Sequence, residues 1–222
     1  MDKNSLSALL FIKEFLGFNE IIVGRERVDT VEKKLNELRE EVFKCKKCPL
    51  HLKKTNYVFG AGNPYARVMF VGEAPGADED REGVPFVGRA GKLLTQLLKD
   101  IGLDRDKDVF IANVLKCRPP GNRDPLPSEI KACSPYLVKQ IKIIKPDILV
   151  ALGRFAAYFL SGRDKIPLSK LKGKILESVF GPKLLVTYHP AAILRNPGRM
   201  HEIKNDFHLL KKFLETEVNK ES

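Results

Sequence analysis

The sequence predicts an α/β protein built on a largely parallel sheet with helices on both faces. Short apolar runs alternate with amphipathic stretches along most of the chain, as expected of doubly buried strands joined by crossover helices. With 222 residues, 43% of them hydrophobic, the chain can bury a full core in one domain. No apolar run approaches the roughly 20 residues that span a bilayer, so a soluble protein with no membrane role is expected.

Residues 5–18 and 29–43 carry helical periodicity. The second has Asp29 as its N-cap and Val31, Leu35, Leu38 and Val42 on one face. Residues 1–26 are expected to form an N-terminal helical extension, and residues 27–222 the single domain. Residues 67–71 read as a buried strand, followed by a helix over 90–101 that Gly102 closes. A strand over 109–114, a helix over 128–144 capped by Ser128, and a strand over 148–152 come next. A short helix at 155–160, strands at 175–179 and 184–188, and a helix over 200–214 complete the pattern.

The formal charge of +11 and the pI near 9.5 point to a polyanionic partner, nucleic acid before membrane. The charge is clustered rather than spread. Lys44, Lys46, Lys47, Lys53 and Lys54 surround one cysteine pair, while Lys116, Arg118 and Arg123 surround a third cysteine. These side chains are expected on nucleic-acid phosphates, where binding weakens steeply with salt.

The chain has four cysteines, Cys45, Cys48, Cys117 and Cys133, one tight pair and two distant singles. That is the ligand count of a tetrahedral metal or an iron–sulfur cluster. The N-terminus shows no secretory pattern, so disulfides are not expected. The pair follows a helical stretch rather than opening a helix after a strand, which fits ligation better than a redox dithiol. The Cys48–Pro49 step leans toward a cluster, and spacing alone leaves zinc open.

In a parallel sheet the functional loops lie at the carboxyl ends of the strands. After the first core strand come Gly72-Glu73-Ala74-Pro75-Gly76 and Asp78-Glu79-Asp80, then Phe86 and Gly91. The glycines let backbone amides approach a ligand, but the Walker lysine and the dinucleotide spacing are both missing. Asn113 ends the next strand and His189 the last one. An amide, a histidine, an aromatic ring and several carboxylates therefore share one sheet edge.

The segments from Gly72 to Gly91, Asn113 to Arg123 and His189 to Pro197, with the four cysteines in this order, resemble the family-4, or UDGa-type, uracil-DNA glycosylases. The resemblance covers about residues 42–214. It implies a three-layer α/β/α sandwich around a four-stranded, mainly parallel sheet and a 4Fe-4S cluster on Cys45, Cys48, Cys117 and Cys133. It also implies base-excision repair: uracil is flipped out of single- or double-stranded DNA and its N-glycosidic bond hydrolysed, with no lyase step. Phe86 is then expected to stack on the base, Asn113 to read its edge, and His189 with the backbone near Glu73 and Ala74 to hold O2. Glu79, with Glu73, is expected to place or activate water. Asp78 and Asp80 are expected to be solvated loop acids. Leu194 or Arg195 is expected in the space the base leaves, beside the phosphate contacts of Lys116 and Arg118. The family-1 enzymes carry an aspartate where this chain has Ala74. The stretch from Cys117 to Pro125 lacks the histidine of the related glycosylases that become covalently trapped on their product, and a DNA-binding module would need none of the pocket residues. A cytoplasmic, nucleoid-associated monomer is expected, with a replication clamp or repair protein as a further partner. Heavy Lys and Glu usage with only Gln96 and Gln140 as glutamines leans toward a prokaryotic thermophile.

Overall fold

The computed structural model describes residues 30–218, residue 165 excepted. The helix expected over 5–18, the Asp29 cap and the extension over 1–26 lie outside the described residues. Helix α1 (Val31–Phe43) is followed by strand β1 (Ala61–Gly62), strand β2 (Val68–Gly72), helix α2 (Ala77–Glu82), helix α3 (Arg89–Asp100) and strand β3 (Val109–Asn113). Helix α4 (Pro127–Ile144), strand β4 (Ile148–Leu152), helix α5 (Arg154–Ser161) and helix α6 (Leu168–Leu171) come next. Strands β5 (Ile175–Glu177) and β6 (Lys183–Thr187), then helices α7 (Pro190–Arg195) and α8 (Met200–Val218), complete the domain.

The sheet order is β1-β3-β2-β4-β6-β5. Its four central strands are parallel, and β1 and β5 add antiparallel edges. Alternating residues of each central strand serve opposite faces, as the period of two requires. Met69, Val71, Phe110, Ala112, Leu149 and Ala151 pack with α1, α4 and α5, whereas Phe70, Ile111 and Val150 pack with α3 and α8. The result is the expected three-layer α/β/α sandwich.

Three local expectations change. Helix α4 starts one residue early, and its cap comes not from Ser128 but from Glu129, whose carboxylate accepts the Leu126 N–H at 2.9 Å. The acidic run after Gly76 is helix α2 rather than a loop. Asp80 in it is buried, accepting the Thr55 N–H at 2.9 Å and the Asn56 N–H at 3.3 Å. Asp78 pairs with Arg81 at 2.8 Å.

Strands β2 and β3 lead the chain to one side of β2 and β4 to the other, so their carboxyl ends flank a topological switch point, where ligands of such sheets bind. Gly72 and Asn113 are register partners there.

Candidate active site and cysteine centre

A cavity of about 570 Å³ opens at this edge, lined by Glu73, Ala74, Glu79, Phe86, Asn113 and His189 among others. The loops after β2, β3, β4 and β6 each contribute to its wall. Gly72 makes its floor possible: a Cβ there would lie 2.3 Å from Asn113 Oδ1 and 2.7 Å from the Phe86 ring. Any other residue at that point would displace both side chains.

Asn113 is 2% exposed, and its Oδ1 is the buried side-chain polar atom without a hydrogen-bond partner among the described residues. Such an orphan costs about 1–3 kcal/mol unless something satisfies it. Its backbone is fixed all the same. Val114 and Leu115 donate to Gly72 and Glu73 carbonyls at 3.0 Å each, and Lys116 Nζ donates to the Asn113 carbonyl at 2.9 Å.

His189 Nδ1 accepts the Ala191 N–H at 3.1 Å, which leaves the proton on Nε2. Burial, with Arg195 nearby, pushes its pKa down to about 4, so the imidazole is a neutral donor at physiological pH. Its ring stacks on Phe86, centroids 5.4 Å apart. Phe86 has φ of 54°, a left-handed conformation that costs a bulky residue about 1–3 kcal/mol.

The two expected carboxylates differ. Burial, with Asp124 nearby and Arg154 opposing, raises Glu73 to about 7, the range of a general base. Both oxygens of Glu79 are engaged by backbone: Oε1 accepts from Val87 and Gly88 at 3.0 Å each and Oε2 from Gly76 at 3.1 Å. Glu79 holds the loop and has no oxygen left free of a backbone donor.

Lys116 departs most from expectation. It is 1% exposed, so it reaches no phosphate, and Nζ also donates to Gln140 Oε1 at 2.6 Å. Burial lowers its pKa to about 8. Arg118 stays near the surface, donating to Asn122 Oδ1 at 2.7 Å. Leu194 is 37% exposed on α7, beside Arg195 at the cavity wall. Arg154, with its ion pair to Asp124 at the cavity, is a wall residue the motifs did not single out; its signal is its place directly after the β4–Gly153 end.

Cys45, Cys48, Cys117 and Cys133 line one separate cavity with Leu50, Tyr57, Tyr136, Lys47, His51 and Lys116 among others, and none of the four is in a disulfide. Burial raises the Cys48 and Cys117 thiols and pushes Cys133 up to about 11. Thiolates in such a place need a positively charged group among them. Lys116 N–H donates to Cys133 Sγ at 3.2 Å, and Tyr57 O–H to the Cys45 carbonyl at 2.6 Å. The exposed lysines Lys44, Lys46, Lys47 and Lys53 rim this region.

A family profile described as the uracil DNA glycosylase superfamily matches residues 59–215. A type-4 uracil-DNA glycosylase of Archaeoglobus fulgidus is 52% identical over 179 residues, covering 78% of this chain and 89% of that protein. One of Sulfurisphaera tokodaii is 52% identical over 180 residues, covering 78% and 81%. One of Thermotoga maritima is 46% identical over 192 residues, covering 85% and 98%.

Proposed function

Because the chain belongs to the type-4 family of the uracil-DNA glycosylase superfamily, we propose that it excises uracil from DNA as a monofunctional glycosylase. The observation that carries this reading is the unpartnered, buried Asn113 Oδ1. Uracil supplies what that atom lacks, an N3–H donor, while the Asn113 amide donates to O4. Cytosine presents an acceptor at N3 and a donor at N4, so a fixed amide rejects it.

The nucleotide is flipped out of the helix at a cost of a few kcal/mol and lies against Phe86. As the N-glycosidic bond lengthens, negative charge gathers on uracil and positive charge on the sugar. His189 Nε2–H and the backbone amide at Ala74 stabilise the O2 end, without proton transfer from an imidazole held near 4. Glu73, ionised above about pH 7, accepts a hydrogen bond from the attacking water and opposes the sugar's charge. Glu79 takes the supporting task of fixing the loop that carries Phe86.

The four cysteines share one cavity and supply the ligand count of a 4Fe-4S cluster, and the Cys48–Pro49 step together with the family supports iron–sulfur over zinc. When bound, the cluster would supply a structural cross-link between the segment after α1, the segment after β3, and α4. In this reading Arg118 and Arg195 contact the DNA backbone and Leu194 the vacated base position, a reading supported by the surface position of Arg118 and the exposure of Leu194.

The test is a single-turnover assay on a uracil-containing oligonucleotide, followed by alkali. Alkali-dependent breakage at uracil is the expected result. Binding without breakage marks a DNA-binding module, and a covalent adduct marks the trapping type of glycosylase; either overturns the proposal.

A further inference from the structure

Four consecutive residues of the loop after α2 are gripped from outside by two oppositely charged side chains. Arg105 Nη2 donates to the Pro85 carbonyl at 2.5 Å and Nη1 to the Phe86 carbonyl at 2.8 Å. Glu79 Oε1 accepts the next two amides, Val87 and Gly88, at 3.0 Å each. Resting on the reading of Phe86 as the wall against the flipped base, we propose that Arg105 is a positioning residue for base recognition that acts through Phe86.

The grip has a physical purpose. At φ of 54° Phe86 is in a conformation that an aromatic residue does not adopt unaided, so something outside the loop must hold it there. A guanidinium suits this task because its planar fork meets two successive carbonyls, where an ammonium offers a point charge. Arg105 is itself anchored. It sits in the α3–β3 connection, where Asp104 Oδ1 accepts the Asp106 and Lys107 amides at 2.9 and 3.0 Å, and Nη1 is shared with Thr95 Oγ1 at 3.3 Å. On the near side helix α3 leaves no slack: a Cβ at Gly91 would lie 1.8 Å from the Phe86 carbonyl oxygen. With the carbonyl side held by Arg105 and the amide side by Glu79, the ring can point only toward His189 and the cavity. Without Arg105 the loop can relax to negative φ, which turns the ring away.

The test compares Arg105→Gln, Arg105→Lys, Phe86→Ala and the Arg105→Gln/Phe86→Ala double variant, each assayed well below its unfolding midpoint. The readouts are affinity for free uracil by calorimetry, single-turnover excision, and affinity for DNA containing an abasic site. A misplaced contact group is worth up to about 100-fold in rate, so Arg105→Gln is expected to lose about 10- to 100-fold in excision and to weaken uracil binding, with abasic-DNA affinity within about twofold. Arg105→Lys, which can hold one carbonyl, recovers part of both losses and serves as the folded variant if the glutamine form does not fold. In the Phe86→Ala background the Arg105 substitution should add almost nothing, because its target is gone. Full excision by Arg105→Gln, or losses that multiply in the double variant, overturns the positioning role while leaving the reading of Phe86 intact. Full excision by Phe86→Ala removes that reading, and the role of Arg105 with it.

Discussion

The cavity at the sheet edge and the cysteine cavity lie at two ends of one short stretch of backbone, Asn113 to Cys117, and they are built on opposite terms. In the first, polar groups are left with something still to bind: Asn113 Oδ1 has no partner among the described residues, the neutral His189 at the cavity wall accepts at Nδ1 and so carries its proton on Nε2, and Glu73 is raised to about 7. In the second, four cysteines sit among apolar side chains, two tyrosines, Lys47, His51 and Lys116, and the polar groups there are engaged within the protein: Tyr57 O–H donates to the Cys45 carbonyl and the Lys116 N–H to Cys133 Sγ. A site for a transient ligand keeps unspent hydrogen-bonding capacity, whereas a site for a permanent group spends it on holding its own frame. Lys116 joins the two: its N–H faces Cys133 Sγ and its ammonium holds the Asn113 carbonyl.

Breaking the first region should cost chemistry and spare the fold. Asn113→Ala or His189→Ala is expected to slow single-turnover excision by about 10²–10³-fold while leaving the melting temperature nearly unchanged. Full activity in both would refute the proposed mechanism. Breaking the second should do the reverse. Cys117→Ser is expected to lose visible absorbance and about 3 kcal/mol or more of stability, read as a Tm fall of roughly 6–12 °C, before any loss in the chemical step of the protein that remains folded.

The junction should feel both. Lys116→Met leaves the Asn113 carbonyl and Gln140 Oε1 without their donor, and is expected to cost about 1–3 kcal/mol of stability with a measurable loss of excision. A change confined to either readout would separate the two regions.

Acidity sharpens the contrast further. Glu73 is raised from an ordinary 4.5 to about 7 by burial, so its protonated form favours the fold. That stability is fully present below 4.5 and is lost as pH rises through about 7. Excision moves the other way, rising about tenfold per pH unit up to about 7 as the carboxylate forms; Glu73→Gln should flatten that limb. The smallest effect belongs to the surface: Arg195→Ala is expected to lower the salt dependence of DNA binding by about one unit of log–log slope.

The elements were legible where periodicity and burial agree. β2, β3, β4 and β6 are mainly apolar runs because both faces are covered, and the motifs after β2, β3 and β6 named most of the cavity wall, while the loop after β4 was missed. The edge pieces were not: β1 spans two residues, and α2 hides in an acidic run whose Asp80 is buried by partners about 25 positions earlier. Residue types could not reveal these, because the energy lies in contacts between distant segments.

The sequence by itself determined the α/β architecture and, through the order of its motifs, the family and the candidate positions Asn113, His189, Phe86 and the four cysteines, since each needs only a residue type at a fixed place in a motif. Only the tertiary structure decided what the charged side chains do. Lys116 and Lys44 look alike in sequence, yet one is sealed beside Asn113 and the other stands in water. Glu73 and Glu79 are six positions apart, yet burial raises the first and three backbone amides engage the second. A charge takes its role from its desolvation and its partners, and both are set by the folded environment.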